Sequence, residues 1–266
     1  MRKALWLPIA ALVVLSTVAG GTAAGGSEGS ARISVVGKDF RVCGLGATFT
    51  DSQPAVAWNG TEGQYLVVWA DGRNSASSRV DIYGQRLLPT GTRVKGEPRI
   101  SGPDATEWEY SPDVAWNGTD NSYLVIWSDT RNSATSGWDI YGRRVTRLGR
   151  TPEPDFVISG PSAASVDSAP AVAWNGTDNE YLVVWQDGRD DNTVGQRGTD
   201  IYGRRVSAAG VLLGDDFRIS GPRATSDDWA PAVAWNGNAN EYLVVWQDGR
   251  NNNPVQQRGT DIYGRR

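Results

Sequence analysis

The chain has 266 residues, 30 acidic against 26 basic side chains, a net charge of −4, one cysteine and no histidine. The missing histidine excludes Ser-His-Asp and Cys-His nucleophiles, HExxH zinc sites and imidazole proton shuttles. The acidic balance argues against a phosphate-backbone partner, and Cys43 alone allows no intrachain disulfide.

Residues 1–24 read as an export signal. Arg2 and Lys3 form a basic start, Ala4 to Ala19 an apolar run, and Thr22-Ala23-Ala24 a small-residue cleavage site. The apolar run is shorter than the ~20 residues of a membrane span. The expectation is therefore a secreted, extracellular protein with no stable membrane insertion after cleavage. Residues 25–31 (Gly-Gly-Ser-Glu-Gly-Ser-Ala) read as a flexible linker, and 32–266 as one domain.

That domain is repetitive. Pro54-Ala-Val-Ala-Trp58-Asn-Gly recurs from Pro112, Pro170 and Pro231, at intervals of 58, 58 and 61 residues. Such a period marks stacked or radially arranged supersecondary units. Within a unit, Pro-Ala-Val-Ala-Trp alternates as a strand and Asn-Gly turns it. Tyr181-Leu-Val-Val-Trp185 is apolar on both faces, as a buried strand is. Asp200 to Val206 gives a third strand and Asp216 to Ser220 a fourth. No helical period appears outside the export signal, so the fold class is all-β.

Four short antiparallel strands per unit describe a β-propeller blade. The fourth-strand sequence occurs first as Phe40-Arg-Val-Cys43, ahead of the first unit, and the chain ends at Asp261-Ile-Tyr-Gly-Arg-Arg266, before another copy of it. This order predicts four blades closed into a ring by exchange of the N-terminal strand. The alternative is a fragment, or half of a larger propeller built by two chains.

Trp69-Ala-Asp71-Gly-Arg73 with Asp81-Ile-Tyr83, repeated in the other three units, resembles the blades of secreted bacterial propellers of the sialidase-like BNR and TolB types. The resemblance covers residues 40–266 at the level of blade architecture. The Asp-box, Ser-x-Asp-x-Gly-x-x-Trp, is absent, so sialidase activity does not follow from it.

Residues present in every copy belong to the blade, and departures mark a specific site. The eight repeated tryptophans, from Trp58 to Trp246, read as core. Each buries ~150–250 Å², worth roughly 4–6 kcal/mol as an upper bound. The repeated Asp-x-Arg reads as a turn in which Asp caps backbone amides while Arg pairs with the Asp of Asp-Ile-Tyr. The Asn-Gly-Thr triplets match a glycosylation sequon, but turn geometry accounts for them.

The departures are Trp108-Glu109-Tyr110, Trp138 and Asp228-Trp229, on the face that carries the long loops. Trp108, Tyr110, Trp138 and Trp229 suit stacking on sugar faces, with Glu109 and Asp228 as polar partners. Asp51, Glu109, Asp167 and Asp228 each lie three residues before a strand-opening proline. Fourfold repetition would set them in a ring, a possible Ca²⁺ site on the propeller axis, with turn capping as the alternative. The main functional expectation is a non-catalytic propeller binding a glycan or cell-surface polymer. The alternatives are a sialidase-like glycoside hydrolase or lyase using those carboxylates, and a scaffold for an extracellular protein.

Overall fold

A computed structural model describes residues 37–44, 50–74, 79–135, 137–160, 165–189, 198–221, 227–250 and 259–266. Residues 1–31, read above as an export signal and a linker, and the tips of the loops after Asp187 and Asp248 lie outside the described residues. Every described element is a strand, and no helix occurs among them. They form four antiparallel units.

The first unit is β1 (Asp51–Asn59), β2 (Gln64–Asp71) and β3 (Asp81–Leu87). The second is β4 (Glu109–Asn117), β5 (Ser122–Asp129), β6 (Gly137–Thr146) and the two-residue β7 (Phe156–Val157). The third is β8 (Ser165–Asn175), β9 (Glu180–Asp187), β10 (Asp200–Ser207) and β11 (Leu212–Arg218), and the last is β12 (Asp228–Asn236), β13 (Glu241–Asp248) and β14 (Asp261–Arg265). A parallel pairing of Gly137 and Trp138 with Ser165 and Val166 joins the second and third units into one sheet.

The fourth strand varies for a local reason. Pro98 and Pro154 cannot donate to a ladder. The first unit therefore keeps only two isolated bridges, Tyr83 with Arg99 and Leu87 with Arg93, and the second only β7. Residues 211–216 contain no proline, and the third unit extends a full β11.

Each opening strand carries a bulge at its proline. The residue before it has positive φ in all four copies: Gln53 (53°), Ser111 (49°), Ala169 (50°) and Ala230 (51°). The register shifts there in every unit. A proline inside a paired strand removes one donor, and the bulge absorbs that loss.

At the other end of the opening strand, Asn59 Oδ1 accepts the amides of Thr61 (3.0 Å) and Glu62 (2.8 Å), and Asn117 and Asn175 repeat the arrangement. These three asparagines are buried in their turns, so the sequon is accounted for by the fold. The third-strand glycine has a packing reason. A Cβ on Gly142 would lie 2.7 Å from Ile158 Cδ1, and one on Gly203 2.7 Å from Ile219 Cδ1.

Every core cluster is shared between neighbours. Leu66, Val68, Ile82 and Ile100 of the first unit pack on Val114, Tyr123, Val125 and Trp127 of the second. Leu124, Ile126, Ile140 and Ile158 of the second meet Val172, Tyr181, Val183 and Trp185 of the third. Leu182, Val184, Ile201 and Ile219 then meet Val244 and Trp246 of the fourth.

The expected closure by strand exchange is corrected. Phe40 to Cys43 form no strand and lie against the first unit instead, where Arg93 Nη1 donates to the Cys43 carbonyl (3.3 Å) and the Phe40 ring sits against Gly91. No strand pairing closes the sheets among the described residues, and β14 is an exposed edge.

Candidate functional site

One end of every unit carries a row of three carboxylates in register: Asp51-Asp71-Asp81, Glu109-Asp129-Asp139, Asp167-Asp187-Asp200 and Asp228-Asp248-Asp261. The middle aspartate organises the row. Asp129 Oδ1 accepts the Arg131 amide (2.8 Å), while its Oδ2 accepts Trp127 Nε1 (3.1 Å) and the Arg131 guanidinium (2.6 Å). Arg131 also lies 4.0 Å over the Tyr141 ring and bonds Asp155 at 2.8 Å.

Asp71-Arg73 and Asp187-Arg189 repeat this, with Glu97 and Asp216 as the outer acids. The expected pairing of these arginines with the Asp of Asp-Ile-Tyr is thus corrected. The arginine doubles back on its own aspartate and reaches the fourth strand, while Asp81 and Asp200 pair with Arg99 and Arg218. All four arginines are thus engaged by their own aspartates within the fold.

The first carboxylate is buried in the last three rows and half-buried in the first, and loss of water around it favours the protonated form in all four. Burial pushes Glu109 up to about 9; the Ser101 hydroxyl and Arg99 oppose that, and the charges of Asp129 and Asp81 add to it. Asp167 rises to about 8 through burial and the Asp187 charge, and Asp228 to about 7 through burial and Asp248. Strand alternation turns Glu109 inward, where its Oε2 accepts the Ile82 amide (3.0 Å).

The same alternation turns Trp108 and Tyr110 outward, and here the sequence candidates assemble. The Trp108 and Tyr110 rings lie 5.8 Å apart at 9°, and Tyr110 and Trp138 6.0 Å apart at 28°. The Arg79 guanidinium stands 5.7 Å from the Trp108 ring and pairs with Glu107 at 3.3 Å. Trp108 is 37% exposed. A stacked aromatic row that is partly open to solvent offers apolar surface with quadrupolar faces, suited to the C–H faces of sugars.

Trp229 does not join the row. It occupies the position of Tyr110 in the last unit, where Nε1 donates to Gln247 Oε1 (2.7 Å). Glu109 and Asp228 are buried and are not polar partners on the exposed face. Asp51, Glu109, Asp167 and Asp228 are each in register with the middle aspartate of their own unit, and Glu109 also reaches the Ile82 amide of the unit before. Among the described residues, no three carboxylate or thiol side chains gather in a metal-holding group.

Sequence reasoning missed Asp113. It stands on β4 where the other units have Ala55, Ala171 and Ala232, and that single Pro-Asp among Pro-Ala copies was the available signal. Its Oδ1 accepts the Val114 amide (2.8 Å) and its Oδ2 the Val172 amide of the next unit (2.9 Å). Burial pushes its carboxyl up to about 6 against these two bonds. It lies three residues along β4 from Tyr110, roughly 10 Å at strand rise.

No protein-family model and no curated protein matches the sequence. Among solved structures, the chain is similar to an endo-arabinase from Bacteroides thetaiotaomicron, with 13% identity, TM-score 0.50, and 79% of this chain and 72% of that one covered. It is also similar to an α-L-arabinanase from Penicillium chrysogenum complexed with arabinobiose, with 18% identity, TM-score 0.53, and 80% of this chain covered. The chain spans 61% of that enzyme's length. The likeness supports a β-propeller fold in general and does not single out the BNR or TolB types. The expectation of a non-catalytic binder is corrected by this comparison, since the two similar structures are an endo-arabinase and an α-L-arabinanase.

Proposed function

We propose that the protein is an exported glycoside hydrolase of propeller fold. The Trp108–Tyr110–Trp138 row holds a polysaccharide, and Asp113 serves as general acid. The aromatic row carries this reading: among the described residues it occurs in the second unit alone, with Trp108 exposed and Tyr110 and Trp138 half-buried, and no core cluster uses it. The similar solved structures suggest an arabinan as the substrate, and a polymer of that size would be met outside the cell, consistent with residues 1–24 as an export signal.

Asp113 suits the acid role chemically. A carboxyl titrating at about 6 still carries its proton in mildly acidic medium and gives it to the glycosidic oxygen as the C–O bond breaks. A water molecule adds to the anomeric carbon and loses its proton to solvent, from which Asp113 is reprotonated. The Val114 and Val172 amides already point at its oxygens and stabilise the carboxylate left behind. Remote stacking on the row fixes the chain while the bond at Asp113 is cleaved.

The test is release of reducing sugar from arabinan and related plant polysaccharides. Asp113→Asn should lower turnover by about 10²–10⁴-fold, and wild-type activity should fall on its alkaline limb as pH rises through about 6. Trp108→Ala should raise KM with little change in kcat. No turnover on any polysaccharide, or full activity in Asp113→Asn, would overturn the assignment.

A further inference from the structure

Where the fourth-strand segment of one unit passes the turn of the next, the repeat places an aromatic ring. Phe156 of the second unit occupies this position, and Phe40 occupies it in Phe40-Arg-Val-Cys43. A Cβ on the turn glycine Gly210 would lie 3.2 Å from the Phe156 ring, and one on Gly91 2.7 Å from the Phe40 ring. The equivalent turn at Gly149 has no ring against it. The first unit carries Pro98 in place of the phenylalanine, and the nearest atoms to a Cβ on Gly149 belong to Arg86, with Nε at 3.4 Å. A cavity of about 250 Å³ stands there, walled by Leu66, Gly84, Pro98, Leu148 and Gly149.

The charges around this space depart from the repeat as well. The last arginine of Asp-Ile-Tyr-Gly-x-Arg meets an acid in the other units: Arg144 meets Glu153 (3.1 Å), Arg205 Glu180 (3.4 Å) and Arg266 Glu241 (3.4 Å). Among the described residues, Arg86 meets none. It donates to two neutral oxygens, Gln64 Oε1 (3.2 Å) and the Arg147 carbonyl (3.4 Å). Lys95 stands at the position of Glu153, so a second cation replaces the acid. Both cations line the cavity. The acid that lines it, Glu97, has both oxygens engaged, one by Arg73 and the other by Arg93 (2.7 Å). One pair of departures therefore leaves the space short of a ring and short of a negative charge.

We infer that this cavity is a binding site for a small aromatic monocarboxylate, its ring taking the place that Phe156 fills at the next junction and its carboxylate held by Arg86 and Lys95. A guanidinium and an ammonium give a carboxylate charge-assisted bonds. Leu66, Pro98 and Leu148 give the ring apolar walls. Arg86 lies five residues along β3 from Asp81, roughly 16 Å at strand rise. Trp108 bridges to Val80 at the Asp81 end of that strand, so the site is separate from the aromatic row. An occupant touches both the first and the second unit and stabilises their junction.

Calorimetric titration of the purified chain with phenylacetate tests this, with benzyl alcohol and acetate presenting the ring and the charge alone. Phenylacetate should bind at one site and raise the melting temperature. Benzyl alcohol and acetate should each bind at least about tenfold more weakly. Lys95→Glu supplies the acid of the second unit and should weaken phenylacetate binding by at least about tenfold. Pro98→Phe supplies the ring, and should abolish binding while raising the melting temperature of the free protein. Absence of phenylacetate binding to the wild type would overturn the inference, as would binding that survives both variants. Equal or tighter binding of acetate, benzyl alcohol or glucuronate would do the same, because the site would then not read an aromatic ring and a charge together.

Discussion

Replacing Glu109 with glutamine should make the protein more stable in neutral and alkaline solution while changing little in acid. Folded Glu109 titrates at about 9 against an ordinary 4.5. Between those values the folded state holds a proton that the unfolded chain has released, so stability falls as pH rises. The contribution is complete below about 4.5 and is lost by about 9, at ~1.4 kcal/mol per pH unit. By pH 7 the wild type has given up about 3 kcal/mol at this one position. Glutamine keeps an acceptor for the Ile82 amide, carries no charge near Asp81 and Asp129, and has no such slope. Urea unfolding of both proteins at pH 5, 6, 7 and 8 measures the difference. The gap should widen with pH in favour of the variant, and parallel curves would refute the account of Glu109 as a buried, proton-holding acid. Asp167 and Asp228 shift in the same direction, so the wild-type curve itself should decline from acid to neutral pH.

Truncating fully buried Trp127 to alanine should cost about 3–5 kcal/mol in chemical denaturation, because it empties a junction shared by two units. Gly137→Ala should lower the melting temperature well beyond an ordinary surface change. Gly137 has φ +84°, and a Cβ there would meet the Ser165 carbonyl oxygen, which adds a clash to about 1–3 kcal/mol of backbone strain. Asn117→Ala removes two amide caps and a cross-junction bond and should cost about 2–3 kcal/mol. Asn236→Ala, in the exposed copy, should cost under about 1 kcal/mol when the same melts are compared.

The all-β class and the boundaries of the central strands were legible because Tyr-Leu-Val-Val-Trp and Asp-Ile-Tyr-Gly repeat with fixed spacing. The opening strand was read too short. It extends through the proline to Asp51 or Glu109 because the bulge carries the ladder past a missing donor. The sequence pointed to Trp108, Tyr110 and Trp138 as departures from the repeat, and they do meet. It did not separate them from Glu109 and Asp228, since the in-and-out alternation becomes visible only once the register is known. Asp113 was overlooked because it sits inside the most regular stretch of the unit, where attention to loops does not reach. The N-terminal strand misled for a different reason. Its likeness to the fourth strands is a statement about composition, and composition does not say which edge a segment occupies.

β9 and β13 are identical over all eight residues, Glu-Tyr-Leu-Val-Val-Trp-Gln-Asp. Nothing in either strand distinguishes its own slot from the other, so only connection lengths and the neighbouring strands assign them during folding. A refolding chain can seat the wrong copy with nearly native local energy, and it must unpair a full strand to recover. Slow, concentration-independent refolding phases that vanish when one of the two strands is recoded with different apolar residues are the kinetic signature of that degeneracy.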